Sequence, residues 1–203
     1  MGHYFDEQPD APSMPRTVEL WLPDMSVTLT TDRGVFGYDQ IDAGSKLLLL
    51  KAPAPPQTGT LLDLGCGVGT IAVPLARRAP AAAVWAVDVN ERARTLCEAN
   101  AEANAVSNIR VAAPDGVPPE VEFDCIWSNP PIRIGKPALH ELLLTWLGRL
   151  SPAGYAVLVV HKHLGADSLQ RWLTDQGHPA ERLASSSGYR ILQTTRPGAF
   201  RRL

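Results

Sequence analysis

The sequence predicts an α/β fold, in which helices cover both faces of a mostly parallel sheet with one antiparallel edge strand, preceded by an N-terminal β-hairpin. From residue 60 onward, short apolar segments alternate with segments of helical spacing, the pattern of a parallel sheet buried on both sides. The last two apolar segments are separated only by Ser186, Ser187 and Gly188, which predicts a closing hairpin. Near the N-terminus, apolar residues alternate with period two around Pro23 and Asp24, which predicts the first hairpin.

The elements follow in order along the chain. An irregular arm over residues 1–16 leads into the hairpin, a helix over 41–51 and a proline-rich linker over 52–59. The predicted strands of the sheet are residues 61–64, 83–89, 109–112, 123–128, 155–160, 182–185 and 189–194. The predicted helices are a segment ending at 78, then residues 91–104, 137–150 and 166–176. We therefore expect two parts, a covering segment over residues 1–58 and one compact domain over 59–203.

Composition narrows the class of protein. With 203 residues and a net charge of -2, the chain is long enough for one real core and carries no global basic field. Its apolar runs are too short to span a bilayer, and its polar, acidic start does not resemble a signal peptide. The three cysteines have no metal-type spacing, so we expect no metal site and a reducing, cytoplasmic location.

The segment "LLDLGCGVGT" places Gly65, Gly67 and Gly69 at a strand-to-helix turn. Glycine permits a tight turn there and lets the backbone approach a ligand closely. Asp63 lies two residues before the first glycine, and Asp88 ends the next strand, where a carboxylate can accept both hydroxyls of a ribose. These features together predict a nucleoside-containing cofactor.

The glycine spacing favours one cofactor over another. Dinucleotide sites usually space their glycines G-x-G-x-x-G and hold a pyrophosphate at the helix N-terminus. Here the spacing is G-x-G-x-G after an acidic residue, which would repel a pyrophosphate but suits an ammonium or sulfonium group. The residues therefore favour S-adenosylmethionine over NAD.

The fourth strand ends in Ser128, Asn129, Pro130 and Pro131, at the edge of the sheet where ligands bind in such folds. Asn129 offers its side-chain oxygen and Pro130 its carbonyl, two acceptors that can hold an exocyclic amine. Two prolines fix φ, so the acceptors are positioned before a substrate arrives. The motif thus predicts transfer to an amine nitrogen without a general base.

Both motifs resemble those of the class I S-adenosylmethionine-dependent methyltransferases, which have a Rossmann-like, seven-stranded sheet. "DLGCGVG" and "VDVN" (87–90) match their first two motifs, and N-P-P matches the signature of enzymes that act on adenine N6, guanine N2 or glutamine side chains. Ile132 stands where those enzymes usually have an aromatic residue. The flanks "HYF" (3–5), "TDRGVF" (31–36), "IDAGSKLLL" (41–49) and "SGYRIL" (187–192) narrow the resemblance. They are similar to the family of the ribosomal RNA small subunit guanine-N2 methyltransferase C, as single-domain relatives of it.

The resemblance implies a role for each matching residue. It places the cofactor on residues of the glycine loop and of the following strand ends: Asp63, Gly65, Cys66, Gly67, Gly69, Asp88, Val89, Asp115 and Asn129. It places catalysis on Asn129, Pro130, Pro131 and Ile132, and the substrate on Phe36, Arg133 and Lys136. Gly34 and Val35 would approach the same site, and the first 58 residues would cover the catalytic Rossmann-like domain.

The function that the resemblance favours is methylation of guanine N2 in ribosomal RNA, with RNA or the small ribosomal subunit as partner. Further basic residues could meet a phosphate backbone: Lys162, Arg190, Arg196, Arg201 and Arg202. Two alternatives stay open, methylation of a protein glutamine or of adenine N6, and a non-catalytic cofactor-binding accessory module. The chain is expected to be a monomer or a homodimer.

Overall fold

The structure, a computed structural model, describes residues 11–198. Its strands are β1 (Arg16–Trp21), β2 (Ser26–Thr31), β3 (Thr58–Leu64), β4 (Ala81–Val87), β5 (Ile109–Ala112), β6 (Phe123–Ser128), β7 (Leu150–His161), β8 (Ala180–Ser186) and β9 (Tyr189–Thr195). Its α-helices are α1 (Ala43–Lys51), α2 (Ala72–Arg78), α3 (Glu91–Ala103), α4 (Lys136–Leu147) and α5 (Ala166–Asp175). Short 3₁₀ turns cover Pro114–Gly116, Ile132–Ile134 and Lys162–Leu164.

The main sheet has seven strands in the order β5-β4-β3-β6-β7-β9-β8. The pairs among β3, β4, β5, β6 and β7 are all parallel. Strand β9 runs antiparallel to both neighbours, β7 and β8, so the predicted antiparallel edge of the sheet is confirmed, with β9 next to the edge strand β8. The chain leaves β3 for β4 on one side and later returns to β6 on the other, which makes the β3–β6 boundary the topological switch point.

Alternation along the strands creates two core layers. Leu61 and Trp127 point into the layer that contains residues of α1 and α2, whereas Leu62 and Ile126 point into the layer beneath α4 and α5. Successive side chains of a strand face opposite sides of a sheet, so a strand buried on both faces reads as a continuous apolar run. That is why the short apolar segments predict these strands.

The N-terminal hairpin of β1 and β2 packs over helix α3. Asn100, buried on that helix, donates to the carbonyl oxygens of Thr30 and Val68 at 2.8 Å each and accepts from the Thr30 N–H at 2.7 Å. Leu20, Val27 and Leu29 of the hairpin are buried in the same core layer as α1 and α2. The hairpin is therefore joined to the sheet domain by buried apolar and polar contacts together.

Several predicted boundaries differ from the structure. Strand β3 begins at Thr58 rather than at 61, and helix α4 ends at Leu147 rather than at 150. The second strand of the sheet is Ala81–Val87 rather than residues 83–89, since Arg94 donates to the carbonyl oxygens of Asp88 and Val89 and the chain turns there into α3. Strand β7 begins at Leu150 rather than at 155, because Leu150 pairs with Phe123 across a bulge that Ser151–Gly154 occupy. Among residues 11–198, no helix is long and apolar enough to cross a membrane.

Candidate functional site

A cavity of about 850 Å³ opens at the carboxyl ends of the parallel strands, around the β3–β6 switch point. Its lining comes from four parts of the chain: the segment after β2, the glycine loop with the end of β4, the N-P-P segment after β6, and the end of β7 with the start of β9. The principal lining residues are Val35, Phe36, Asp42, Gly65, Gly67, Asp88, Val89, Asn129, Pro130, Pro131, Ile132, Arg133, His161, His163 and Tyr189. Most of the predicted site residues thus meet in one cavity.

The glycine loop presents its backbone to the cavity. Gly65 and Gly67 have φ angles of 77° and 53°, a region that side chains with a Cβ rarely adopt. The N–H groups of Gly65 and Cys66 donate to the Val87 carbonyl oxygen at 2.8 and 3.0 Å, which ties the loop to the end of β4. A Cβ at Gly65 would meet nothing within 4 Å, so the space above this glycine is open to a ligand.

Two loop residues serve packing rather than the cavity. A Cβ at Gly69 would lie 3.1 Å from the Cys97 Sγ atom, so this glycine allows α3 to approach the loop closely. Cys66 is 3% exposed, and the neighbouring Cys97 thiol together with burial raises the pKa of its thiol well above the ordinary value. Cys66 lines only a small adjoining pocket, and neither residue lines the main cavity.

Asp88 lies at the end of β4, in the wall of the cavity. One carboxylate oxygen accepts from the Gly67 N–H at 2.9 Å and the other from the Asn90 N–H at 2.9 Å. Burial raises the pKa of this carboxyl above its ordinary value, although these backbone donors oppose the rise. Each oxygen keeps a lone pair for a ligand hydroxyl, so the side chain can fix the loop and bind a ribose at once.

Asp63 is a fully buried carboxyl next to the glycine loop. Its side chain is fully buried in β3, and neither oxygen meets hydrogen-bond geometry with any residue in the described part of the chain. Burial raises its pKa to about 8, with a further contribution from the Asp88 charge, and the Ala72 backbone N–H offsets only part of the rise. Asp63 does not line the cavity.

Asn129 follows β6 and has a fixed amide orientation. Its Nδ2 atom donates to Asp42 Oδ2 at 2.8 Å and to Ser45 Oγ at 3.0 Å. Asp42 is the N-cap of α1 and also accepts from the Ser45 N–H at 2.8 Å. Because both N–H bonds of the amide point toward α1, the Oδ1 atom is the part of the side chain left for a ligand in the cavity.

The two prolines form a tight turn after Asn129. Pro131 has φ -75° and ψ 72°, the geometry of an inverse γ-turn, and the Ile132 N–H donates to the Pro130 carbonyl oxygen at 2.8 Å. This carbonyl oxygen therefore already accepts one hydrogen bond within its own turn, from the Ile132 N–H. Its second lone pair remains available to an amine in the cavity.

The segment after β2 forms the opposite rim. Val35 is buried, whereas Phe36 is 45% exposed and lines the cavity. The Asn90 side chain donates to the Gly34 carbonyl oxygen at 2.9 Å and accepts from the Ala93 N–H, so one residue caps α3 and holds this segment beside Asp88. Gly34 itself does not line the cavity.

The far wall of the cavity is formed by three rings that the sequence did not assign to the substrate. His161 and His163 lie at the end of β7, with ring centroids 5.4 Å apart, and Tyr189 at the start of β9 meets His161 edge-on at 4.9 Å. Ile132 faces the same space. The strand-end rule could have indicated these residues, since His161 ends a central strand. Among residues 11–198, no group of side chains has the arrangement of a metal site.

The remaining predicted residues lie outside the cavity. Asp115 is exposed in the turn Pro114–Gly116, where Pro114 rather than Asp115 lines the cavity, and Lys136 is exposed at the start of α4. Two of the predicted basic residues have acidic partners, Arg190 with Asp167 at 3.7 Å and Arg196 with Glu122 at 3.5 Å. His3, Tyr4 and Phe5 of the N-terminal flank, with Arg201 and Arg202, lie outside the described residues.

Comparison with protein families gives one match that covers most of the chain. Residues 26–193 match the model of the methyltransferase small domain. YbxB of Bacillus subtilis (strain 168) is 33% identical over 194 residues, covering 94% of this chain and 96% of that protein. The ribosomal RNA small subunit methyltransferase C of Pseudomonas aeruginosa (strain LESB58) is 33% identical over 196 residues, covering 93% of this chain. The chain spans 57% of the length of that enzyme, so it corresponds to about half of it.

Comparison with solved structures also finds methyltransferases. The T. thermophilus 16S rRNA N2 G1207 methyltransferase (RsmC), in complex with AdoMet and guanosine, superposes with a TM-score of 0.78 at 26% identity. The match covers 93% of this chain and 52% of that one. The ribosomal protein L11 methylase of Lactobacillus delbrueckii subsp. bulgaricus superposes with a TM-score of 0.59 at 20% identity, which is a likeness of fold.

Proposed function

The chain belongs to the methyltransferase small domain family and is an S-adenosylmethionine-dependent methyltransferase, and we propose that it methylates the N2 amine of guanine in ribosomal RNA. One observation carries the proposal: Asn129 and Pro130 line the cavity together, and Asp42 and Ser45 accept both N–H bonds of the Asn129 amide, which leaves its oxygen for an amine. The names of the methyltransferase C relatives favour ribosomal RNA as the substrate. The guanosine bound by the T. thermophilus N2 G1207 methyltransferase favours guanine as the base.

The residues of the glycine loop fit S-adenosylmethionine. The open backbone at Gly65 and Gly67 would hold its methionine part, Asp88 its ribose hydroxyls, and Val89 with Pro114 the flat face of its adenine. The unpaired buried carboxyl of Asp63 suits a cationic ligand, since a positive charge nearby favours the ionised form. When bound, this cofactor supplies a methyl group on a sulfonium, an electrophile that needs no further activation. Contact of Asp115 with the adenine amine remains a prediction.

The chemistry required of the protein is to hold the amine. In guanine the N2 lone pair is delocalised into the ring and is a weak nucleophile. Acceptance of the two N–H bonds by Asn129 Oδ1 and the Pro130 carbonyl oxygen would turn that lone pair toward the methyl group. One N–H proton is then released to water once the new N–C bond has formed. Neutral acceptors suffice for this, which agrees with a cavity whose N-P-P segment carries no general base.

The aromatic rings across the cavity would provide the stacking surface for a base that the aliphatic side chain of Ile132 does not. A single-stranded base can stack on an aromatic side chain. Tyr189 packs against α1, where its Cε1 atom would lie 2.8 Å from a Cβ at Gly44, so its ring is fixed in place. We place the target base between Ile132 and the rings of His161 and Tyr189, with Phe36 at the rim.

The test is transfer from methyl-labelled S-adenosylmethionine to separate RNA, DNA and protein fractions, followed by mass spectrometry of the digested products. Label recovered as N2-methylguanosine in small-subunit RNA is the expected result. Label on adenine or on glutamine would overturn the proposed acceptor while retaining the enzyme class. Cofactor binding without transfer to any fraction would favour a non-catalytic accessory module.

A further inference from the structure

Asp42 caps α1 and also lies in the candidate site, next to Asn129. Its Oδ2 atom accepts from both the Asn129 side chain and the Ser45 N–H, at 2.8 Å each. Its Oδ1 atom accepts no hydrogen bond from any residue within 11–198. The side chain is half-buried and lines the cavity directly beside Asn129. One carboxylate oxygen is therefore used by the protein and the other is free at the place where an amine would be held.

The groups around this free oxygen give it no competing partner. Lys46 on α1 and Lys162 after β7 make no ion pair with Asp42, and the salt bridges of the described chain join other residues. Burial and the Asp42 charge raise the pKa of Tyr189 above its ordinary value, but its hydroxyl makes no hydrogen bond to Asp42 among the described residues. Within the described chain, the Oδ1 atom is therefore free to accept a hydrogen bond from a donor that a ligand supplies.

The three candidate substrates differ in the group next to the reactive amine. In guanine, the N2 amine is flanked by N1–H, which is a hydrogen-bond donor. In adenine, the N6 amine is flanked by N1, an acceptor, and in a glutamine side chain the amine is flanked by the amide oxygen, also an acceptor. A carboxylate beside the amine attracts the donor of guanine and repels the acceptors of the other two.

We propose that Asp42 is the residue that selects guanine: its Oδ1 accepts the N1–H of the base while Asn129 and Pro130 hold the N2 amine. Asp42 and Asn129 thus accept from two adjoining donors of the base, the N1–H and the N2 amine. The hydrogen bond from Asn129 Nδ2 to Asp42 Oδ2 fixes the relative positions of the two side chains. This inference rests on the proposed function and extends it, since it names the residue that excludes adenine and glutamine.

The test compares guanine with 2-aminopurine, which has the same N2 amine but an unprotonated N1. Short RNA oligonucleotides carry either base at the guanine that the wild-type protein methylates, and single-turnover rates are measured with both. We expect the wild-type protein to prefer guanine by about 100-fold or more, because a buried acceptor facing an acceptor is strongly rejected. In Asp42→Asn, the amide nitrogen replaces Oδ1 and can donate to N1, so the guanine preference should fall by at least about tenfold.

Asp42→Asn is suited to this test because it preserves the structural roles of the residue. Asparagine is as good an N-cap as aspartate, and its Oδ1 can still accept from Asn129 and from the Ser45 N–H. Cofactor affinity, measured by calorimetry, should be unchanged. The matched control is Asp39→Asn, a neighbouring acid whose carboxylate is paired with Arg16 at 3.0 Å, and it should keep the wild-type base preference.

The outcomes separate this inference from the proposed function. If the wild-type protein forms N2-methylguanosine and Asp42→Asn shows the same guanine preference, the role of Asp42 is refuted and the proposed function stands. If the wild-type protein methylates no guanine N2, both are refuted. A fall in preference shared equally by Asp39→Asn would show a general charge effect and would also overturn the role of Asp42.

Discussion

At the scale of single residues, the contacts of Asn129 and Asp88 indicate different roles, which we propose are substrate binding for Asn129 and cofactor binding for Asp88. Asn129 contacts α1 through its nitrogen and offers only its oxygen to a substrate, whereas Asp88 fixes the glycine loop through the Gly67 N–H. We expect Asn129→Ala to leave cofactor affinity nearly unchanged and to slow transfer at least tenfold, about 1.4 kcal/mol of barrier. Asp88→Ala should instead weaken cofactor binding by about tenfold or more, since it removes the proposed ribose contacts and the contact with the Gly67 N–H together.

Calorimetry with S-adenosylmethionine and single-turnover transfer to RNA measure the two effects separately. Because Asp88→Ala also removes a contact that shapes the loop, Asp88→Asn is the control that keeps the size of the side chain. Equal losses of cofactor affinity in Asn129→Ala and Asp88→Ala would refute the division of roles.

Asp63 makes stability depend on pH in an unusual direction. Its pKa is raised to about 8 in the folded protein, from 3.8 for an unperturbed aspartate. Between these values the folded state holds a proton that the unfolded state has lost, so the free energy of unfolding falls as pH rises. Above the folded pKa, both states are ionised and the whole cost of the buried charge is present. The group therefore costs little at low pH and most in alkaline solution.

Asp63→Asn removes this titration while keeping the shape of the neutral acid. The variant should gain stability relative to the wild-type protein as pH rises, by about 1.4 kcal/mol for each unit between roughly pH 5 and pH 7. Urea unfolding of both proteins across this range measures the difference, and other titrating groups cancel because both proteins share them. A difference that is constant with pH would show that Asp63 is ionised in the folded state throughout.

At the scale of helices and strands, the sequence predicts what depends on local pattern. Strands β5 and β6 have their predicted bounds, because an apolar run between polar turns marks both ends. The start of β7 was missed since Ser151, Pro152 and Gly154 are turn formers, and only pairing with β6 shows that they form a bulge. The alanine-rich start of β4 has no period and was also missed.

The residues of the site show the same difference between local motifs and tertiary contacts. Gly65, Asp88 and Asn129 were predicted because each belongs to a short motif with its own chemical logic. Asp42 was not assigned a role, since its contact with Asn129 joins residues 87 positions apart and no local spacing records it. The rings across the cavity depend likewise on the β7–β9 pairing, which brings Tyr189 opposite His161. Contacts set by tertiary structure were thus the part that the sequence left open.

At the scale of the whole molecule, the proposed RNA binding requires a local basic surface. The net charge is -2, and the chain spans 57% of the methyltransferase C of P. aeruginosa. Arg133 lies exposed on the cavity rim, and Lys136 is exposed at the start of α4, just after the N-P-P segment. Neither makes a salt bridge with an acidic residue in the described chain. Two such cations beside the site would bind phosphates that flank the target base.

This gives a quantitative expectation for salt. Each phosphate contact to single-stranded RNA contributes a slope of about -0.7 to log K against log salt concentration. The double variant Arg133→Ala/Lys136→Ala should therefore reduce the magnitude of the slope by about 1.4, measured by fluorescence anisotropy with the oligonucleotide that the wild-type protein methylates. Lys51→Ala is the control, because this exposed cation is the last residue of α1, at the end of the helix opposite the cavity. A slope unchanged in the double variant but reduced in Lys51→Ala would place the RNA on another face, away from the N-P-P segment, and would require the base to reach the cavity from the side of α1.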